Sequence, residues 1–250
     1  MNERTVLSIS GSDRVDFLQG LVSNDVKKAA TGIVYAALLT PQGKYIADFF
    51  LIGRDDAILL DVDTALAPAL AQRLTMYKLR AAVQIAPTDM IVSRGTGAVP
   101  AGALPDPRHP ALGWRHYGDS DIGDSTDWDA IRVAQLIPET GIELTPDTYI
   151  LEAGFERLHG VDFRKGCYVG QEVTARMKHK TALKKGLARV AIDGHAAPGS
   201  EITADGKPAG TLHTVAGAKG IAYLRFDRAN MDMQAGTATL RLIQSFSGQT

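Results

Sequence analysis

Lys165-Gly166-Cys167-Tyr168-Val169-Gly170-Gln171-Glu172 contains the single cysteine of this chain. The glycines on either side let a backbone pass close to a ligand. Lys165, with Arg164 before it and Arg176 after it, makes the neighbourhood basic, and nearby positive charge favours thiolate over thiol. By its chemistry alone Cys167 is a reactive thiol, a ligand to a metal cluster, or a small buried hydrophobe, as lone cysteines often are. From Arg164 to Arg189 there are eight Lys or Arg, Lys180 and Lys185 among them, against one acid, Glu172. Such a patch suits a polyanion, either a polyglutamyl chain or RNA phosphates, and equally a solvated linker.

Outside this segment the chain is balanced. Its 250 residues are 45% hydrophobic, enough to fill a proper core. Lys plus Arg number 27 against 28 Asp plus Glu, a net charge of -1, so a surface given over entirely to nucleic acid is excluded and any polyanion site is local. One cysteine forms no internal disulfide, and no Cys/His cluster has zinc-finger spacing. A reducing compartment fits. Met1-Asn2-Glu3-Arg4 leads into a strand-like stretch with neither a long apolar region nor an Arg-rich presequence, which predicts a cytoplasmic protein. No run approaches the roughly 18 apolar residues of a membrane span, and insertion into a membrane is excluded.

Periodicity divides the chain. Thr5 to Ser10 alternates as a half-buried strand does, and Gly11-Ser12-Asp13 supplies a turn and an N-cap for a helix carrying Val15, Leu18, Leu21 and Val22 on one face. Ile33 to Leu39 and Tyr45 to Ile52 form a hairpin about Pro41-Gln42-Gly43-Lys44. Ala57 to Val62 reads as a strand, Thr64 to Tyr77 as an amphipathic helix, and Val83 to Ile85 as extended chain. From 95 to 129 six glycines and four prolines predict loops and short strands. Residues 147–160 have helical spacing through Ile150, Leu151, Phe155 and Leu158, with Gly160 as C-cap. Beyond about 185 a series of short strands broken by Gly and Pro predicts a small β-barrel.

Two carboxylates stand among apolar neighbours. Asp48 lies between Ala47 and Phe49, where it either meets the ring nitrogens of a heterocycle or points to solvent from an edge strand. Glu152 sits within the helical pattern near Leu151 and Phe155, where a surface position is ordinary.

Taken together these segments resemble the YgfZ family, relatives of the folate-dependent aminomethyltransferase of glycine cleavage. Lys165 to Glu172, continuing into Val173-Thr174-Ala175-Arg176-Met177, is similar to that family's signature. Asp16-Phe17-Leu18-Gln19-Gly20-Leu21 with Asn24-Asp25-Val26, Leu39 to Lys44 running to Asp48-Phe49-Phe50, and Tyr77-Lys78-Leu79-Arg80 agree, so the likeness spans nearly the whole chain. It implies an α+β fold of the aminomethyltransferase kind, with a folate-binding region over 1–182, built of two interleaved subdomains, and a carboxy-terminal β-barrel over 183–250.

Residue by residue, Asp48 matches the second, catalytic member of the transferase's pair of aspartates, and Ala47 replaces the first. Leu151-Glu152-Ala153-Gly154 with Leu158-His159-Gly160 and Asp162 resembles the segment whose glutamate contacts the pterin. A carboxylate there can accept two N–H bonds from the ring. Tyr168 falls where the transferase carries an aromatic, and Lys165 and Arg176 are cofactor-binding candidates beside it. The transferase's Arg-Thr-Gly-Tyr-Thr-Gly-Glu has no counterpart, since the corresponding stretch reads Ile137-Pro138-Glu139-Thr140-Gly141-Ile142-Glu143-Leu144. The resemblance therefore implies a tetrahydrofolate-binding accessory protein for assembly or repair of iron–sulfur proteins, with Cys167 as its functional thiol and no turnover required. A-type iron–sulfur carriers and client proteins are its implied partners. One cysteine holds no cluster alone, so a transient cluster would be shared with a partner. The competing expectations are a folate-dependent one-carbon transferase or demethylase using Asp48, and an RNA-binding protein linked to tRNA modification.

Overall fold

Alternation in the first ninety residues builds an antiparallel sheet. In the computed structural model, which describes residues 3–179, 183–229 and 231–246, β1 (Arg4–Ser10) leads into a short helix α1 (Arg14–Gln19) and a 3-10 turn, Val26–Ala30. There follow β2 (Ile33–Leu39), β3 (Tyr45–Gly53), β4 (Ala57–Asp63), helix α2 (Ala67–Lys78) and β5 (Gln84–Pro87). The strands pair in the order β2-β3-β4-β1-β5. The predicted hairpin, with its turn at 41–44, joins β2 to β3 and sets Ala37 opposite Asp48 and Tyr35 opposite Phe50.

Both faces of this sheet are covered, and differently. On one, Leu7, Leu38, Phe49 and Leu60 pack with Leu18 of α1 and Leu74 of α2. On the other stand Tyr35, Asp48, Phe50 and Asp61, all buried. Asp61 accepts from Arg115 Nη2 at 2.5 Å and Arg4 Nε at 2.6 Å. Asp106 is held by Arg108 at 2.9 Å and Arg115 at 3.3 Å. The guanidiniums of Arg115 and Arg108 lie 3.9 and 4.9 Å from the Phe50 ring centre, so buried charge is both paired and stacked on a π face. Burial alone would raise the Asp106 carboxyl, but the two guanidiniums outweigh it and hold the group at about 2.

Three more strands, β6 (Ile91–Gly95), β7 (Leu104–Pro105) and β8 (Trp114–Gly118), form a small sheet, the last two within the 95–129 stretch expected to be loops and short strands. Helix α3 (Trp128–Gln135) follows, with Asp127 capping it by accepting from Ala130 N. Residues 147–160 correct the expectation of a helix. They run as consecutive turns closed by bonds such as Glu152 N to Tyr149 O and Phe155 N to Ile150 O. Gly154 at φ +78° and His159 at φ +56° explain why, since neither conformation continues a right-handed helix.

After α4 (Gln171–His179) come β9 (Lys185–Asp193), β10 (Glu201–Ala204), β11 (Lys207–Ala216), β12 (Lys219–Arg225), β13 (Met233–Ala235) and β14 (Ala238–Ser245). They close in the order β10-β11-β12-β9-β14-β13, around a core including Val190, Ile202, Leu212, Leu224 and Leu240. Arg132 of α3 reaches Thr214 of β11 at 3.2 Å and Glu143 at 2.5 Å. Contacts group the chain into two compact units, each assembled from separate stretches: Met1–Thr126 with Glu156–Val173, and Asp127–Phe155 with Thr174–Thr250.

Candidate functional site

In the first unit, the cysteine segment is an irregular loop held at both ends. Lys165 is buried, and its ammonium donates to Gln19 O at 2.6 Å and Val22 O at 2.5 Å, two carbonyls at and beyond the end of α1. A cation there also opposes the partial negative charge of the helix terminus. Burial lowers the Lys165 pKa to about 8, against the pull of Asp25 and Asp162 toward the charged form. Tyr168 is buried with its ring centre 5.1 Å from that ammonium. Val169 packs on the sheet core. Gly170 takes φ +83°, with the place of its missing Cβ 2.6 Å from Thr40 O. Between these fixed points Gly166 and Cys167 are exposed. The loop thus presents the thiol to solvent, and the buried-hydrophobe alternative for Cys167 falls away.

Asp48 is not at a solvent edge. It is 4% exposed on β3, an interior strand of the sheet, with Oδ1 accepting from Tyr45 OH at 2.7 Å and Oδ2 from Tyr35 OH at 3.0 Å. Burial, followed by the charge of Asp48, pushes the Tyr35 hydroxyl well above its ordinary pKa. Beside Tyr35 the same unit has a cleft of about 370 Å³, lined also by Asn24, Lys28, His159, Phe163 and Arg164. Asn24 ties two parts of the lining together, donating to Tyr35 O at 2.8 Å and His159 O at 2.6 Å.

In the second unit, Glu152 is likewise buried rather than on a surface helix. Its Oε2 accepts from Tyr223 OH at 2.6 Å, and its backbone oxygen accepts from Leu187 N at 2.8 Å, fastening the turn to β9. Burial and this bond drive the Tyr223 hydroxyl far above the usual tyrosine range. Arg176 is exposed on α4. The basic patch is less uniform than its sequence. Lys165 is committed to backbone, Arg189 donates to Ala134 O, and Lys180 lies outside the described residues. Among the described residues no three His, Cys, Asp or Glu side chains gather as a metal site.

Sequence reading missed the three tyrosines that hold the carboxylates. For Tyr35 a signal exists: once the 41–44 turn fixes the register, Tyr35 is the diagonal cross-strand neighbour of Asp48.

Comparison with known proteins places the chain. The human iron–sulfur cluster assembly factor IBA57, mitochondrial, is 30% identical over 270 residues, covering 90% of this chain and 76% of the human protein. This chain belongs to the IBA57 iron–sulfur cluster assembly factor family. The mouse member is 29% identical over 97% of this chain and 81% of its own length, and the Mycosarcoma maydis homologue 33% identical over 73% and 54%. IBA57 factors are relatives of the YgfZ family. Residues 184–246 match the CAF17 C-terminal beta-barrel domain. The crystal structure of glycine cleavage system aminomethyltransferase T from Bartonella henselae superposes with a TM-score of 0.74 at 12% identity, over 97% of this chain and 83% of that one. The expected α+β fold with its closing barrel is borne out. The expected compartment is not. These IBA57 relatives are named as mitochondrial proteins, which overturns the cytoplasmic expectation.

Proposed function

We propose that this chain serves iron–sulfur cluster assembly by presenting the Cys167 thiol to a partner protein that supplies the remaining cluster ligands. The observation that carries this is the exposed Gly166–Cys167 tip held between buried Lys165 and Tyr168, together with family membership. A cluster normally takes four protein ligands, so one thiolate is a shared ligand and the cluster is cargo. An A-type iron–sulfur carrier is the partner, and client iron–sulfur proteins lie downstream. Cys167→Ser should abolish rescue of a strain lacking the endogenous factor while its thermal unfolding matches wild type. Full rescue by the mutant would remove the thiol from the mechanism.

Tetrahydrofolate belongs to the same proposal as a ligand, and the two carboxylates fit it unequally. Both oxygens of Asp48 already accept tyrosine hydroxyls, so Asp48 fits poorly as a pterin contact or a catalytic group, which weighs against one-carbon transfer. Among the described residues Glu152 has a side-chain bond on Oε2 only, and it fits as an acceptor for a pterin N–H. Calorimetric titration of tetrahydrofolate should show binding to wild type that weakens at least tenfold in Glu152→Gln. No heat with wild type would exclude folate. The RNA reading loses support because Lys165 and Arg189 are engaged with backbone.

A further inference from the structure

Helix α2 ends on a residue that the local backbone does not suit. Leu79 has φ 46° and ψ −105°, and Ala81 N donates to Lys78 O at 2.8 Å, which makes Lys78 to Ala81 a type II′ turn with leucine at the position glycine normally takes. A side chain there is strained, and strain persists where function holds it. The side chain is also unburied, at 88% exposure, and Met76, three residues earlier in the last turn of α2, is 60% exposed. No intramolecular packing explains this leucine.

Charge and shape agree. From Thr64 to Thr88 the sequence has three cations, Arg73, Lys78 and Arg80, and no Asp or Glu. None of the three makes an ion pair among the described residues. The nearby acid is Asp13, whose carboxylate accepts from Ala82 N at 2.8 Å and from Ser12 Oγ at 3.0 Å. At the foot of the turn lies a cleft of about 430 Å³ whose walls include Ser10, Gly11, Lys78 and Ala82. An apolar knob beside a polar hollow matches a contoured surface. A lipid surface is flat, and two apolar side chains give it little to hold.

This surface is remote from the thiol. Ser10 pairs with Gln84 at one end of the outer strand β5, whereas the cysteine loop abuts Thr40 beyond the opposite end of the other outer strand, β2. We propose that the Leu79 turn is a docking point for a second partner protein, one that presents an apolar pocket rimmed by carboxylates.

The test is panning of a phage-displayed random peptide library against the whole protein, with counter-selection on Leu79→Gly. Peptides enriched on wild type should place Asp or Glu around apolar residues. They should bind at least tenfold more weakly to Leu79→Gly and to Arg80→Glu, and equally well to Cys167→Ser. Leu79→Gly should keep a Tm at or above that of wild type, since glycine suits the turn. Peptides that lack acids, or that bind Leu79→Gly as tightly as wild type, overturn the proposal. So does sedimentation of wild type but not Leu79→Gly with phosphatidylcholine vesicles containing anionic phosphatidylglycerol, which would assign the surface to lipid.

Discussion

Lys165 shows how a residue's chemistry can be legible while its partner is not. Its charge in a basic, glycine-flanked segment suggested an anion, but the chain turns the ammonium inward to two backbone carbonyls. Asp48 is the reverse case: base rates favoured an exposed carboxylate, and two tyrosine hydroxyls instead make its burial tolerable. The Lys165 partners lie far off in the chain and Tyr35 meets Asp48 only through the strand register, so neither is written in local sequence; Tyr45, three residues before Asp48 on the same strand, is the local exception. The Lys165 arrangement carries a pH signature. Its pKa is about 8 in the fold, below its ordinary 10.5. Between those values the unfolded chain keeps a proton that the folded chain has released, so stability rises with pH across that window, and below it this group gives no pH dependence. Urea unfolding from pH 7 to 10.5 should show that rise in wild type and lose it in Lys165→Met. Parallel curves for the two proteins would refute the assignment.

At the scale of elements, period was the reliable guide wherever one face or both were buried by a regular strand. The hairpin of β2 and β3 stands close to where alternation placed it, and the short strands expected beyond about 185 close into the barrel. Residues 147–160 failed because helical spacing of Leu151, Phe155 and Leu158 says which side is buried, not whether the backbone stays right-handed through Gly154. Helix α3 was legible in principle, since Asp127 before Trp128 and Asp129 is an N-cap followed by an acid in the first turn. The cysteine loop depends on one glycine far more than on the other. A Cβ at Gly170 would stand 2.6 Å from Thr40 O and 2.9 Å from Leu39 Cβ at positive φ, whereas one at Gly166 meets nothing within 4 Å. Gly170→Ala should therefore cost more than about 2 kcal/mol, seen as a fall in Tm of roughly 2–4 °C per kcal/mol. Gly166→Ala should unfold within a degree or so of wild type. Equal losses in both variants would show that the close approach at Thr40 does not position the loop.

Over the whole molecule, a sheet core and a barrel core stand apart among the described residues, and the thiol is tied to the first. The sheet core includes Leu60, fully buried, and takes in Val169, two residues from Cys167. The barrel core includes Leu240, also fully buried, and no residue of the cysteine loop. Truncating either leucine to alanine opens a cavity of the same chemistry and costs about 2–5 kcal/mol. The consequences for the functional segment should differ all the same. Local opening of a loop follows the stability of the unit that anchors it, and the anchors described above (Gln19, Val22, Leu39, Thr40 and the sheet core) lie in the first unit. Amide hydrogen exchange at Tyr168 and Val169 should therefore accelerate in Leu60→Ala and stay near wild type in Leu240→Ala, although both proteins lose stability in denaturant. Equal acceleration in the two variants would mean that the cores open as one cooperative unit, and that the thiol's exposure is a property of the entire chain rather than of the sheet that carries it.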